Sequence, residues 1–346
     1  KSTFITESQM TKKFEEMIKK LTGAKYAIAI TNGTLAQYAI ILALNIKPGD
    51  EVIIPNITFI ATANAVIMAG AKPILCEVDR STFCIDPVKI ESLITKKTKA
   101  IIPVHLYGQC ADMKKINQIA RKYKIEVIED AAQAVGVKLN NKHAGTFSKV
   151  GFLSFYGNKT ITTGEGGIVL TNNKFIAQKI YKLKNHGRLK KGIFTHDEIG
   201  YNFSFTEMQA AVGVSQLKKL PKIIKKKKFI YDTYNKHFSK ITQLEKPFIS
   251  KNCSPVHWFT SFLTKDAKKL SAYLIKKNIQ TRKFFTPLHL QNCFKKNNIV
   301  GNLKGNFSIS EEIYNKGISL PSSYILKKSE INKVVREITS YYENRD

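Results

Sequence analysis

Short apolar runs alternate with helix-like stretches over the first two thirds of the chain, and this alternation constrains the fold more than any other feature. The apolar runs have the length of β-strands and lie at 26–30, 51–55, 72–78, 100–106, 126–130, 151–155 and 167–172. Amphipathic stretches such as LAQYAIILAL and ADMKKINQIARKY lie between them. Strands that alternate with helices form parallel sheets, and buried parallel strands read as continuous apolar runs. We therefore predict an α/β fold with a mainly parallel sheet and helices on both faces.

The pattern changes after Pro221. Longer lysine-rich helical segments then dominate, with few strand candidates, of which HWFTSFLT at 257–264 is one. Helix-like segments lie at 266–277 and 328–343. We predict a large domain at 1–220 and a smaller α+β domain at 221–346, with the boundary somewhere in 215–245.

The chain is strongly basic. Its 56 lysines and arginines against 26 acidic residues give a net charge of +30, so a nucleic-acid partner must be considered. The one dense block, KKLPKIIKKKK at 218–228, alternates lysines with apolar residues and indicates one polar helix face. No zinc-finger spacing or RNA-recognition motif accompanies it. We predict no nucleic-acid partner; a salt-dependent shift of DNA without cofactor absorbance would instead support a non-catalytic nucleic-acid-binding protein.

The cysteines indicate a cellular compartment. The sequence has five of them, scattered and without a C-x-x-C pair. Such a pattern, in a chain without a recognisable secretion leader, is typical of a reduced cytoplasmic protein. The sequence also has no uninterrupted apolar run long enough to span a bilayer. We expect a cytoplasmic protein with no membrane partner and no metal site.

Ligands of open α/β sheets bind at the carboxyl ends of strands, so the loops that follow the apolar runs are the places to look for a site. The loop TNGT contains Asn32, Gly33 and Thr34 between a strand and a helix. Backbone amides at a helix N-terminus attract phosphate, and glycine lets the anion approach closely. An ordinary helix cap by Asn32 or Thr34 explains the same residues.

Two other strand ends carry ionisable residues. Glu129 and Asp130 end the run VIED, where a carboxylate caps the next helix, binds a cation or pairs with a protonated ring nitrogen. Lys159 lies between the strand-like LSFY and a glycine-rich turn, and Ser154 precedes it by five residues. A phosphate cradle, a carboxylate for a pyridinium nitrogen and a lysine that forms a Schiff base are the parts of a pyridoxal-phosphate site. The same lysine, once released, is placed to move a proton.

Five motifs carry a resemblance to a known family: TNGTLAQYAI, KPGDEVIIPNITFIATANAV, VIEDAAQAVG, SFYGNKTITTGEGG and GYNFSFTEMQAAVG. Over nearly its whole length the chain resembles the sugar aminotransferases of the DegT/DnrJ/EryC1/StrS family. The resemblance implies the fold-type-I aminotransferase fold, in which a large domain with a mixed, mainly parallel seven-stranded sheet flanked by helices precedes a smaller α+β domain. It also implies pyridoxal 5′-phosphate as cofactor, with the pyridoxamine form as intermediate.

The resemblance assigns four residues to the cofactor ring. Lys159 carries the cofactor and is the catalytic residue. Asp130 pairs with the pyridine nitrogen, and Gln133 binds the ring hydroxyl. Phe59 stacks on the ring, where some relatives have tryptophan or tyrosine.

The resemblance assigns four further residues to the cofactor phosphate. Gly33, Thr34 and Ser154 hold it within one chain. Asn202, in GYNF, reaches the phosphate of the neighbouring subunit. This role implies an obligate homodimer with shared active sites.

Substrate contacts are expected at three more positions. His186 and Arg188 belong to the basic stretch KLKNHGRLKKG at 182–192, which suits an anionic nucleotide sugar and equally a solvated loop. His186 also suits the end of a helix before a glycine. His289, in TPLH, is a candidate contact with the sugar or a structural histidine. Relatives carry further residues before the position of Lys1 that help to shape the sugar site, so we expect some N-terminal residues to be missing from this sequence.

The form of SFYGNKTITTGEGG is most similar to the perosamine-synthase branch, which aminates C4 of a nucleotide-linked 4-keto-6-deoxy sugar. Another branch replaces the lysine with histidine and performs a deoxygenation, so Lys159 favours transamination. We expect amino transfer from L-glutamate to give a 4-amino-4,6-dideoxy sugar, similar to GDP-perosamine or UDP-viosamine, for polysaccharide biosynthesis. A 3-aminotransferase and a dehydratase acting on a nucleotide keto sugar remain alternatives.

Overall fold

The computed structural model describes residues 5–188, 192, 194–196, 198–297 and 299–343. Its α-helices are α1 Gln9–Thr22, α2 Gly33–Ala43, α3 Ala61–Met68, α4 Pro87–Ile90, α5 Met113–Tyr123, α6 Lys174–Lys184, α7 Glu207–His237, α8 Ala267–Lys276, α9 Asn292–Asn297, α10 Ser308–Lys316 and α11 Lys328–Glu343. The strands are β1 Tyr26–Ile30, β2 Glu51–Pro55, β3 Lys72–Cys76, β4 Thr98–Ile101, β5 Glu126–Asp130, β6 Lys138–Leu139, β7 Lys142–His143, β8 Val150–Ser154, β9 Gly167–Thr171, β10 Cys253–Ser254, β11 Thr260–Leu263, β12 Arg282–Lys283 and β13 Gly317–Leu320. Short 3₁₀ turns lie at Glu91–Leu93, Leu106–Gly108 and Leu288–Leu290.

The main sheet has seven strands in the order β1-β9-β8-β5-β4-β2-β3. All neighbouring pairs are parallel except those of β9, which runs antiparallel to β1 and to β8. The predicted mixed, mainly parallel sheet is confirmed. Because its six parallel strands point the same way, their carboxyl ends lie at one edge, where the loops singled out from the sequence meet.

The sheet is buried on both faces, which explains its continuous apolar strands. Alternate residues of β1 point to opposite sides. Ile28 and Ile30 join the core formed with α2, α3 and α6, whereas Ala27 and Ala29 join the core formed with α1 and α7. In the second core, Phe14 of α1 is fully buried. The helices of the two cores hold the strand ends in place.

Helix α7 crosses the predicted domain boundary without a break. Thr206 caps it by a reciprocal pair of hydrogen bonds with Gln209, and the helix continues through Pro221. Up to Ile223, its buried residues pack into the core that it shares with α1 and the main sheet. From Ile230 onwards, its buried residues pack into another core with α8, α11, β11 and β13. The division into 1–220 and 221–346 therefore stays a prediction, because the packing changes along one continuous helix.

The C-terminal part contains a three-stranded antiparallel sheet in the order β11-β13-β12. The predicted helices at 266–277 and 328–343 correspond to α8 and α11. A third small sheet, β10-β6-β7, joins segments from both parts. None of the helices in the described residues is both long enough and apolar enough to cross a membrane.

The lysine-rich block of α7 differs from the prediction at one position. Leu220 and Ile223 are buried and most of the lysines are exposed, as expected for one polar face. Lys227 is the exception, since only 6% of it is exposed. It lies four residues after Ile223, on the buried side of the helix, because the helical repeat returns to the same face after three or four residues.

Candidate active site

A cavity of about 710 Å³ opens at the carboxyl ends of β1, β2, β5 and β8. It brings together seven of the residues that the sequence assigns to the cofactor. These are Gly33, Thr34, Phe59, Asp130, Gln133, Ser154 and Lys159. They lie far apart in the chain, and the parallel sheet brings them to one edge.

Lys159 follows β8 in a turn closed by its backbone amide, which donates to the carbonyl of Tyr156 at 2.9 Å. Its Nζ lies 4.2 Å from the ring centroid of Trp258. Burial lowers the pKa of this amine to about 8, and the nearby carboxylate of Asp130 opposes that shift. A lowered pKa increases the neutral fraction of the amine near neutral pH, and the neutral amine is the form that attacks an aldehyde.

Asp130 is the last residue of β5 and is buried. Its Oδ1 accepts a hydrogen bond from the amide of Ala132 at 3.0 Å, and its Oδ2 accepts one from Thr62 Oγ1 at 3.1 Å. Burial raises the pKa of this carboxyl, while the hydrogen bonds and Lys159 act against the rise. The protein therefore compensates the negative charge of Asp130 only in part, and a cationic ring nitrogen in the cavity would compensate the rest.

Glu129, the neighbour of Asp130, has a structural task. Consecutive strand residues point to opposite faces, so Glu129 turns away from the cavity. Its Oε1 accepts from the amide of Ser148 at 2.5 Å, and its Oε2 accepts from the amide of Gly145 at 2.8 Å. Its Oε2 also lies 3.1 Å from His105 Nε2, which donates because His105 Nδ1 accepts from the amide of Ala111. Only Asp130 of this pair lines the cavity.

The N-terminus of α2 forms one end of the cavity. Asn32 caps the helix by accepting from the amide of Leu35 at 2.9 Å, so the helix-cap interpretation of this loop is correct for Asn32. The amides of Gly33 and Thr34 lie in the first turn, where no intrahelical acceptor exists. A Cβ atom at Gly33 would lie 3.1 Å from Cβ and 3.2 Å from Oγ of Ser154, so glycine allows the close approach of Ser154. First-turn amides and a nearby hydroxyl suit a phosphate.

An aromatic ring and a side-chain amide also line the cavity. Phe59 is 56% exposed although it is a large apolar residue, and its ring lies 5.9 Å from that of Phe285. Gln133 Oε1 accepts from the amide of Tyr107 at 2.8 Å, which leaves its NH₂ group as a donor. Tyr107 also accepts at its hydroxyl from the amide of Phe285 at 3.2 Å. An open ring face and a donor held in position suit a planar aromatic ligand with an oxygen substituent.

Asn202 does not line this cavity. It is exposed, and its Oδ1 accepts from the amide of Ser204 at 3.2 Å. Its predicted contact is with the phosphate in another subunit, so that role stays a prediction.

His186 and Arg188 also lie outside the cavity lining. His186 has a left-handed backbone with φ 56°, and the amide of the following Gly187 donates to Lys182 at 2.8 Å and closes the end of α6. The guanidinium of Arg188 lies 5.4 Å from the ring of Phe194. Residues 189–191 of the basic stretch lie outside the described residues. The helix-end interpretation accounts for the geometry of His186, and the substrate contacts stay predictions.

His289 is buried away from the cavity, in a polar and aromatic setting. Its backbone amide donates to Asn56 Oδ1 at 3.1 Å, and its Nε2 lies 3.0 Å from Glu311 Oε1. Its ring lies 4.7 Å from that of Phe307. These contacts connect the end of β2 with α10 and fit the structural alternative, so a sugar contact at His289 stays a prediction.

Several cavity residues were missed by the sequence analysis. They are Thr62, Tyr107, Asn158, Trp258, Arg282 and Phe285, which either line the cavity or fix a residue that does. Asn158 precedes Lys159 and lies within a recognised motif. Thr62 likewise lies within the motif KPGDEVIIPNITFIATANAV. Tyr107, Trp258, Arg282 and Phe285 have no local signal, because a single polar or aromatic residue outside a motif shows its task only through tertiary contacts.

The residues present fit pyridoxal phosphate. The first-turn amides of α2 with Ser154, a buried carboxylate, a lysine of lowered pKa and an exposed aromatic ring all line the same cavity. Lys159 would hold the cofactor covalently, and the α2 amides with Ser154 would hold its phosphate.

Known proteins identify the family. The sequence profile of the DegT/DnrJ/EryC1/StrS aminotransferase family matches residues 1–339. The GDP-perosamine synthase of Escherichia coli O157:H7 is 37% identical over 348 residues, covering 99% of this chain and 93% of that protein. The dTDP-3-amino-3,6-dideoxy-alpha-D-galactopyranose transaminase of Aneurinibacillus thermoaerophilus is 36% identical, covering 95% of this chain and 89% of that protein.

A solved structure agrees in fold. The structure of S. venezuelae DesV in complex with a ketimine intermediate superposes with a TM-score of 0.93 at 28% identity, covering 98% of this chain and 91% of that one. With the cavity's lysine, carboxylate and anion site, these matches identify pyridoxal phosphate as the cofactor. The chain belongs to the DegT/DnrJ/EryC1/StrS aminotransferase family.

Proposed function

We propose that this enzyme transfers the amino group of L-glutamate to C4 of a nucleotide-linked 4-keto-6-deoxy sugar. The product would be a 4-amino-4,6-dideoxy sugar similar to GDP-perosamine or UDP-viosamine. The observation that carries the proposal is the meeting of Lys159 and Asp130 in one cavity with an anion site and an open aromatic face. The relative from E. coli, a GDP-perosamine synthase, supports the choice of sugar.

The chain's own residues have defined tasks in this reaction. Pyridoxal phosphate, when bound, supplies an electron sink for the reacting carbon. Asp130 presents a buried negative charge to the ring nitrogen. Lys159, whose pKa is lowered to about 8, can accept and return a proton near neutral pH. Phe59 and Gln133 orient the ring, so that the proton moves between fixed positions.

A second cavity, of about 730 Å³, adjoins the first and provides room for the rest of a nucleotide sugar. Asn158, Lys159, Trp258 and Arg282 line both. Basic side chains outnumber acidic ones in the second lining, with Lys159, Lys227, Arg282 and Lys333 against Glu330. A basic cavity favours an anionic ligand such as a diphosphate, which supports a nucleotide-linked sugar over a free one.

A screen of nucleotide keto sugars tests the proposal directly. The enzyme, pyridoxal phosphate and L-glutamate are incubated with GDP- and UDP-linked 4-keto-6-deoxy sugars, and products are analysed by mass spectrometry and NMR. We expect an amine at C4 in place of the ketone, together with 2-oxoglutarate, and neither product with the Lys159→Ala variant. Failure to aminate any of these sugars would contradict the proposal.

The relative from A. thermoaerophilus, named as a transaminase of a 3-amino sugar, supports a second candidate, amination at C3. The same screen distinguishes the two when 3-keto isomers are included, because NMR locates the new amine. Loss of a hydroxyl without consumption of glutamate would instead indicate a dehydratase.

We also propose that the enzyme works as a homodimer, with Asn202 of each subunit at the phosphate of its partner's cofactor. Asn202 is exposed and lies outside its own chain's cavity lining, which leaves its side chain available to a second copy. A shared site of this kind requires dimerisation for activity.

A further inference from the structure

Lys227 differs from the other lysines of α7 by its burial and its partners. Its Nζ donates to the carbonyl of Trp258 at 3.0 Å and to the carbonyl of Ser322 at 3.2 Å. Within the described ranges, no carboxylate lies within ion-pair distance of it. Burial lowers its pKa to about 8. A buried amine that binds only carbonyls loses hydration without the gain of a countercharge, so its position requires an explanation.

Trp258 connects Lys227 to the active site. Its carbonyl accepts from Lys227, and its indole Nε1 donates to the carbonyl of Asn158 at 2.7 Å. The face of its ring lies 4.2 Å from Nζ of Lys159. Only 3% of this side chain is exposed, and its ring stacks on that of Phe259 at 4.0 Å. Trp258 is therefore held by its backbone, by its indole nitrogen and by its neighbouring ring.

The contact between Lys159 and Trp258 shows where the amine lies when it is not bonded to a cofactor. Nζ of Lys159 would be occupied while the lysine holds the cofactor. Once released, the amine would have to be kept in place to return a proton. The structure shows Nζ on the indole face, which attracts an ammonium ion through the electron density of the ring.

We propose that Trp258 is a positioning residue that receives the amino group of Lys159 whenever the lysine is not bonded to the cofactor, and that Lys227 fixes Trp258 for this task. The inference rests on the proposed role of Lys159 as the cofactor lysine. Trp258 favours the charged lysine by its ring face, whereas burial favours the neutral one. Because these two effects oppose each other, Lys159 can both accept and release a proton.

The titration of Lys159 tests the part played by Trp258. Competitive acetylation across a pH series, read by mass spectrometry for each lysine, gives the pKa of Lys159 in the full chain with and without bound pyridoxamine phosphate. Loss of the cation–π contact in Trp258→Leu should lower that pKa by about half to one and a half units, and Trp258→Phe should lower it less. Trp258→Leu should also lower kcat more than it changes KM. An unchanged pKa of Lys159 in Trp258→Leu would overturn the proposal.

The fluorescence of Trp258 tests the part played by Lys227, because this is the only tryptophan in the sequence. We expect Lys227→Met to shift the emission, to increase quenching by acrylamide and to lower the pKa of Lys159. The matched control is Lys226→Met, since Lys226 is adjacent and its Nζ lies over the ring of Phe229 at 5.3 Å. Lys227→Gln keeps an NH₂ donor, so its emission, its quenching by acrylamide and the pKa of its Lys159 should change less than those of Lys227→Met. If either Lys227 variant folds with unchanged fluorescence and an unchanged pKa of Lys159, Lys227 does not act by fixing Trp258.

The two proposals fail in distinguishable ways. If another lysine holds the cofactor, peptide mapping after borohydride reduction shows it, and the proposed function fails whatever the titration gives. If Lys159 holds the cofactor and transamination proceeds, but the Trp258 variants leave its pKa and kcat unchanged, only the positioning role fails.

Discussion

Replacing Asp130 with asparagine removes one charge from the site and leaves its shape. The new amide oxygen can still accept from Ala132, whose amide donates to Oδ1 of the native carboxylate at 3.0 Å. The new NH₂ group would face Thr62, whose hydroxyl now donates to Oδ2 and can turn to donate to Thr58, 2.9 Å away. The local hydrogen bonds can therefore be kept, and the effect of Asp130→Asn on the rate reports the lost charge.

The expected loss is large because the carboxylate is buried. Removing one partner of a buried ion pair costs about 3–5 kcal/mol, and each 1.36 kcal/mol is tenfold in rate, so the amino-transfer step should slow by roughly 10²- to 10⁴-fold. The raised pKa of Asp130 in the cofactor-free chain agrees with a carboxylate that requires a cation in the cavity.

A stopped-flow assay of the L-glutamate half-reaction, followed by cofactor absorbance, measures this step without the sugar. The matched control is Glu165→Gln, because Glu165 also lines the cavity but is exposed. We expect the rate of the half-reaction in this control to fall by less than about tenfold, since an exposed charge is screened by solvent. A rate for Asp130→Asn within about tenfold of the wild type would mean that Asp130 only caps the chain after β5, and the assigned role would be wrong.

Three further predictions follow from the same contacts. Lys159→Ala should abolish turnover but retain non-covalently bound cofactor, because the α2 amides remain; absorbance after gel filtration checks this. Mixing inactive Lys159→Ala with inactive Asn202→Ala should restore up to about a quarter of the sites, because each mixed dimer then has one intact site and one doubly defective site; no recovery despite proven subunit exchange would refute shared sites. His143 accepts from the amide of Gly136 at Nε2, and burial lowers its pKa from 6.5 to about 4. Between these pH values the unfolded chain therefore binds a proton that the folded chain lacks, so acidification should reduce the free energy of unfolding by about 3 kcal/mol. Urea unfolding at several pH values measures this dependence, which should be weaker in His143→Gln.

The sheet and several residues of the cavity at its edge are predictable because their signals are local. Buried parallel strands such as β2 and β3 must be apolar along their whole length, so their positions follow from the sequence. Asp130 ends such a strand and Lys159 comes shortly after another, and the carboxyl ends of parallel strands meet at one edge of the sheet. Asp130 and Lys159 therefore lie close together in any fold of this class.

Residues that act through distant contacts are not predictable in this way. Lys227 lies in a block that indicates a solvated helix face, and only the turn of α7 and the packing of Trp258 and Ser322 make it a buried donor. Trp258 is separated from Lys159 by almost a hundred positions, and no repeat or motif connects them. The domain boundary stays a prediction for a related reason, because the change in packing occurs within the continuous helix α7 and no break in the sequence marks it.

The most direct test of the account is to locate the lysine that holds the cofactor. The enzyme loaded with pyridoxal phosphate is reduced with borohydride, digested and mapped by mass spectrometry. Lys159 should carry the cofactor, since its amine has a lowered pKa and lies in the cavity with Asp130 and the anion site. The structure supplies an internal competitor in Lys227, whose pKa is also lowered to about 8 and which lines the adjoining cavity. We expect cofactor on Lys159 and none on Lys227; cofactor on Lys227, or on any other lysine in place of Lys159, would contradict the assigned role of Lys159.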